Sequence, residues 1–310
     1  EAPSAEAADP CRTQRVVCAN SAGDVIVICT KEMRVLGKIS VDLGQILQMQ
    51  ALQGDEVLMA SSKGLLRVNI VTAATKKFLS KPTFCVAVHE DYVYIGHIDG
   101  LTIVRKTDVL SLCEDKDVET VHFLALPKGV GSLCLIPDEE LLWAAAGDLS
   151  LSVLSMKDLS MINLIPKAHS QRINHIERIG GLCFTCSNSG EVKKWNLTGA
   201  NGTLVCTRDC KVYSIGYMLP HQLWVACWNM TIAAYSLQTS EFISEINAPF
   251  GDSIREIRLV SEGGVDYCYA LGLDGVFVLR LPQQRTRLPR RLGRSVSVVS
   301  FCEASALSTF

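Results

Sequence analysis

Short apolar stretches punctuated by Gly, Asp, Asn or Ser recur along this chain, too short for helices and rich in Val, Ile and aromatic residues, so they predict β-strands. A weak unit repeats through them. Its bulky position is Val17, Leu58, Tyr94, Trp143, Phe184, Trp224 and Tyr269, and two residues later stand Ala19, Ala60, Gly96, Ala145, Cys186, Ala226 and Leu271. Six residues after the bulky one come Gly23, Gly64, Gly100, Leu149, Gly190, Met230 and Gly275. The spacings run from 36 to 49 residues with a mean of 42, the period of a β-propeller blade.

Each unit reads as a hairpin, an apolar strand such as Leu223 to Cys227, a turn at the glycine position, and a second strand such as Thr231 to Tyr235. A strand pattern precedes each hairpin, as at Ile46 to Met49 and Val212 to Ile215, and another follows, as at Phe242 to Ile246. Four strands per unit make a blade. The predicted fold is therefore all-β, a seven-bladed β-propeller of four-stranded antiparallel blades, with hairpins near 16–28, 57–70, 92–104, 141–154, 182–195, 223–235 and 267–280. The first hairpin lacks a leading strand, and a strand pattern at 295–301 is left over. Pairing these two closes the ring and removes two sheet edges. Residues 1–14 read as a flexible lead or linker, and 15–310 as a single propeller domain, the missing initiator Met suggesting a piece of a longer protein.

Composition narrows the class. A hydrophobic content of 48% is spread over short runs, and none approaches a membrane-spanning length. A net charge of −2 argues against a reader of nucleic acid. The 13 cysteines are odd in number, lie in strand-like apolar contexts and follow no signal peptide, so a reduced, cytoplasmic protein is expected, with cysteine acting as a small hydrophobe. Sequons at Asn196, Asn201 and Asn229 leave a secretory alternative open.

Candidate chemistry is sparse. Cys183 and Cys186 form a C-x-x-C with His169 and His175 upstream, but residues three apart on a strand point to opposite faces and cannot share a metal. Neither a nucleophile elbow, a phosphate loop nor a zinc-protease motif is present. Neither catalytic residues nor cofactor or metal sites are expected.

The stretch Lys167-Ala-His169-Ser, followed by Thr185-Cys-Ser-Asn-Ser-Gly190-Glu-Val-Lys-Lys-Trp195, resembles a WD repeat. That family locks each blade with a hydrogen-bonded set of His, Ser or Thr, Asp and Trp. The resemblance implies that His169, Thr185 or Ser187, and Trp195 supply three members, with Ser189 standing where the turn Asp would be. Such divergent propellers resemble the C-terminal domains of large signalling and trafficking proteins, among them DENN-domain Rab exchange factors, Rho exchange factors and Roco kinases.

The expected function is a non-enzymatic scaffold for protein partners, peptide segments or other domains of the same chain, in the cytoplasm or at the periphery of membranes or cytoskeleton. The alternative is an enzyme or small-molecule binder using the central channel. The rim made by the loop before each blade and the turn inside each hairpin would carry His97, Lys167, His169, Gln171, Arg172, Trp228, Asn229, Phe250 and Asp274. Trp228 and Phe250 are the candidate anchors, aromatic residues being the usual hot spots; for Trp228 an inward packing beside Trp224 is the competing expectation. Arg285, Arg287, Arg290, Arg291 and Arg294 form a basic loop suited to acidic protein or anionic lipid surfaces, and Ser295 within it resembles a phosphorylation site for a basophilic kinase.

Overall fold

The computed structural model describes residues 15–19, 24–29, 34–42, 44–111, 119–218, 221–249, 251, 253–262, 265–272, 276–281 and 297–300. Seven sheets form the ring, and all seven hairpins lie where the repeat places them, at 15–29, 56–69, 92–105, 141–155, 182–196, 222–236 and 265–281. Six sheets have four strands, and the seventh has three among the described residues. Within a typical blade the chain runs outward from an inner strand, as in blade 6 with Val212–Met218, Gln222–Cys227, Thr231–Ser236 and Phe242–Asn247.

Closure follows the expected pairing. Ser297–Ser300 is the inner strand of blade 1, beside Arg15–Ala19, and lies between the inner strands of blades 2 and 7. It runs parallel to Arg15–Ala19, unlike the antiparallel pairs elsewhere in the ring. Hairpin turns dictate antiparallel pairing within a blade; a strand arriving from the other end of the chain is under no such constraint.

Apolar residues segregate into seven clusters, one at each blade interface, because alternate residues of a strand point to opposite faces. Met59 packs toward blade 1 and Leu58 toward blade 3. The bulky repeat position always faces the next blade: Trp143 meets blade 5, Trp224 meets blade 7, and Tyr269 meets Cys18 of blade 1. The small position shares that face. At Gly96 a Cβ would stand 2.3 Å from Cys85 Sγ and 3.0 Å from the Val130 carbonyl oxygen, which begins the inner strand of blade 4. The small residue therefore makes room for the neighbouring inner strand; it does not line the channel.

The turn position explains the glycines and their two exceptions. Gly64 and Gly100 have φ of 137° and 145°, a conformation closed to side chains, and a Cβ would stand 1.8 Å from the Leu79 carbonyl oxygen in the first case. Leu149 and Met230 occupy the same slot with φ of 75° and 65°, left-handed but accessible at a cost.

Two polar devices reinforce the ring. Arg67 of blade 2 is buried and donates from Nη1 to the carbonyls of Val109 and Leu110, capping the short helix Lys106–Leu110 of blade 3. In blade 5, the Thr185 hydroxyl meets His169 Nε2 at 2.7 Å and accepts from Trp195 Nε1 at 2.9 Å. The carboxylate that the sequence lacks at Ser189 comes from Glu191, whose Oε2 lies 3.4 Å from His169 Nδ1 and accepts from the Ser189 hydroxyl.

Candidate functional site

Every described inner strand of blades 2 to 7 carries a bulge at the same place, where its register to the second strand slips past one residue. The skipped residues are Leu47, Phe84, Gly131, Asn174, Tyr213 and Arg255, and all six line one cavity in the channel, together with the residue following each. That cavity encloses about 140 Å³. The bulges thus turn two residues per blade into the channel mouth. Blades 2 to 4 contribute Leu47, Phe84, Cys85 and Gly131 with the uncharged polar Gln48 and Ser132, while blades 5 to 7 contribute Asn174, His175, Tyr213, Ser214, Arg255, Glu256 and Arg258, so the charged groups of the lining lie on one side.

Hydrogen bonds knit this ring from blade to blade. Gln48 Oε1 accepts the Val86 N–H, His175 Nδ1 that of Ile215, and Ser214 Oγ that of Ile257. Asn174 Nδ2 donates to the Val212 carbonyl. Because His175 Nδ1 accepts a main-chain proton, the neutral ring carries its own proton on Nε2, 3.7 Å from Glu177. Burial, with the Arg258 charge second, pushes His175 down to about 3 and keeps it neutral. Burial pushes the Glu177 carboxyl up to about 7, Arg258 opposing and Glu256 adding to the rise. Arg258 Nη2 pairs with Glu256 at 2.7 Å.

Around the mouth, the hairpin turns of blades 2 to 6 are pinned to the loop before their blade. The N–H groups of Ser62, Ile98, Gly147, Asn188 and Trp228 donate to the carbonyls of Gln45, Pro82, Gly129, Arg172 and Lys211, at 2.8 to 3.1 Å. The equivalence puts Trp228 and Ile98 at matching rim positions, 50% and 44% exposed. Trp224 is buried between blades 6 and 7 while Trp228 faces out, so the inward packing expected as its alternative does not occur. Arg172 is exposed, and its guanidinium reaches over Gly131 at the channel mouth. Lys211 stands in the corresponding slot one blade on, also exposed, and neither it nor Ile98 was legible as a rim residue before the pinning pattern was known.

Two expected rim residues are not on the surface. His97 and His169 are 0% and 1% exposed, their rings bonded to Thr102 and Thr185 hydroxyls, and His97 is also stacked on Phe123. Both hold blades together; neither can meet a partner. Lys167, Gln171 and Asn229 are exposed. Phe250, Asp274, the arginines 285, 287, 290, 291 and 294, and Ser295 lie outside the described residues. Cys183 and Cys186 point into different interfaces, as strand geometry requires, and among the described residues no group of His, Cys, Asp and Glu can hold a metal ion.

These features define a seven-bladed β-propeller with a bulge-lined channel mouth and one aromatic, cationic sector of rim. No family model matches the chain, and no curated protein matches its sequence. In fold it is similar to the computationally designed Ika8 protein, known from a crystal structure, with a TM-score of 0.62 and 9% identity over 87% of this chain and 97% of that one. At that identity the likeness shows the fold alone.

Proposed function

We propose that this propeller is a non-enzymatic interaction module of the divergent WD-repeat type, serving a larger signalling or trafficking protein, and that it takes its partner on the rim of blades 5 and 6. The observation that carries this reading is the exposed Trp228, held on a turn that is itself hydrogen-bonded to Lys211. A rigid aromatic anchor loses little entropy on binding, and tryptophan is the residue type most enriched in interface hot spots. Lys211 and Arg172, both exposed, supply positive charge on the same face, which favours an acidic partner segment carrying an apolar residue for Trp228. A cytoplasmic setting, and a supporting contact of the arginines at 285–294 with anionic lipid, belong to the same proposal.

The test compares Trp228→Ala and the charge reversal Lys211→Glu with the wild type, reading affinity capture from lysate beside thermal melting. Proteins captured by the wild type and lost from both variants, with melting unchanged, support the rim. Capture that survives both substitutions removes it.

A further inference from the structure

We infer that the channel mouth is a binding site for a small free carboxylate or phosphate, with Arg255 as its anchor. This does not depend on the rim proposal: its anchor Arg255 and the neighbouring Arg258 line the cavity, and Arg172 alone is common to the two.

The first ground is an unbalanced guanidinium. Among the described residues Arg255 has neither a hydrogen bond nor an ion pair; it lies over the Tyr213 ring, 4.5 Å from the centroid, and its Nε is buried without a partner. A buried donor left unsatisfied costs free energy, more so on a charged group. Arg258 beside it also has a buried Nε with no hydrogen-bond partner, although Nη2 pairs with Glu256. Two guanidinium edges therefore face one cavity with donors to spare. Arg side chains match carboxylate and phosphate oxygens in a planar fork, and stacking on Tyr213 holds that plane still.

The second ground is the charge count of the mouth. Arg255, Arg258 and the overhanging Arg172 are cationic, and among the described residues Glu256 is the one carboxylate in the lining. Glu177 is not among the lining residues and its carboxyl is pushed up to about 7, while His175 is neutral and offers its Nε2 proton. A chain with a net charge of −2 thus concentrates uncompensated positive charge at one enclosed place.

The third ground is shape. The cavity has room for several waters or one compact ligand, and the wall across from Arg255 and Arg258 carries Leu47 and Phe84 beside the uncharged Gln48, Cys85, Gly131 and Ser132. Such a site suits an anionic group joined to a small flat apolar body, the anion toward blade 7 and the body toward blades 2 to 4.

The probes are benzoate as carboxylate with an apolar body, inorganic phosphate as bare oxyanion, and benzyl alcohol as neutral isostere, each titrated calorimetrically into the whole chain to about 10 mM, the range of weak fragment affinities. Saturable binding of benzoate or phosphate and none of benzyl alcohol is expected. Arg255→Gln, which keeps most of the side chain, should weaken it at least about tenfold, the loss of one charge-assisted hydrogen bond. Gly131→Val is the second variant: it retains every charged group, meets at its Cβ only the Arg172 side chain, Nη2 at 3.5 Å and Nε at 4.0 Å, and adds bulk to the cavity lining. It should abolish benzoate binding with melting unchanged, whereas Trp228→Ala should bind as the wild type does. Stronger benzoate than phosphate binding assigns a carboxylate with an apolar body; the reverse assigns a phosphate. No saturable binding of either anion, equal binding of benzyl alcohol, or binding that survives both Arg255→Gln and Gly131→Val overturns the inference.

Discussion

Trp143 of blade 4 donates its indole N–H to the main-chain carbonyl of Leu197 in blade 5, 3.0 Å away. One residue thus supplies the bulk that fills the interface and the polar bond that fixes its register. Trp143→Phe retains most of the ring and leaves the Leu197 carbonyl without this donor; chemical denaturation should show a loss of about 1–2 kcal/mol. Trp143→Ala adds a cavity at a fully buried site and should cost about 3–5 kcal/mol.

The turn position predicts opposite outcomes for residues in the same slot. Gly64→Ala drives a Cβ to 1.8 Å from the Leu79 carbonyl oxygen at a φ of 137°, and should cost about 3 kcal/mol in denaturant melts. Met230→Gly relieves a left-handed backbone at φ 65° and should fall between neutral and a gain of about 1 kcal/mol.

The hydroxyl of Thr185 serves His169 and Trp195 together. Thr185→Val conserves shape and strands both ring nitrogens in a buried site, so it should cost about 2–4 kcal/mol, while Thr185→Ser should cost less than half as much. Equal losses for the two would show that packing, and not the shared hydroxyl, holds the blade.

Stability should depend on pH through groups of opposite sign. Burial pushes His97 and His169 down to about 4 and His175 to about 3, so the unfolded chain binds protons first, and their contribution is complete above about pH 6.5 and lost as pH falls toward 4. Glu177 is pushed up to about 7, so its contribution is present below the ordinary carboxylate range and lost as pH rises through 7. Between these limits the two slopes oppose. Glu177→Gln should therefore steepen the acid loss below pH 6.5, and its stability relative to wild type should be better at pH 8 than at pH 5. Melting temperatures across that range decide it; a parallel profile would show that Glu177 does not titrate near neutrality.

Trp228→Ala should leave stability within about 0.5 kcal/mol of wild type, as for an exposed side chain outside the core. A larger loss, read by the same denaturant melts, would mean that Trp228 supports the hairpin turn, and the rim would lose its anchor.

The repeat was legible because blade interfaces impose it locally. Trp143, Phe184 and Trp224 must fill the same wedge, Ala60 and Gly96 must admit the next inner strand, and Gly64 and Gly100 must adopt a backbone that side chains forbid. Short-range constraints of this kind leave a period in the sequence, so strand order, hairpin positions and the closing partner could be read from it. The His169, Thr185 and Trp195 set could be read too, since a motif recorded it, although its acid moved to Glu191 where no motif pointed. Burial could not. Whether His97 faces water or Thr102, and whether Trp228 turns out or in, depends on groups distant in the chain. The channel mouth lay further from view, because Leu47, Gly131 and Arg255 share no chemistry, only a bulge. What joins them is the skipped register of six inner strands brought to one axis, and an Arg255 with no ion pair among the described residues becomes visible only once the ring places it beside Tyr213 and Arg258. Sequence alone determined the repeating wedge and its turns, since each is enforced by neighbours within a blade; the tertiary structure decided the site, since its residues meet only when the ring is closed.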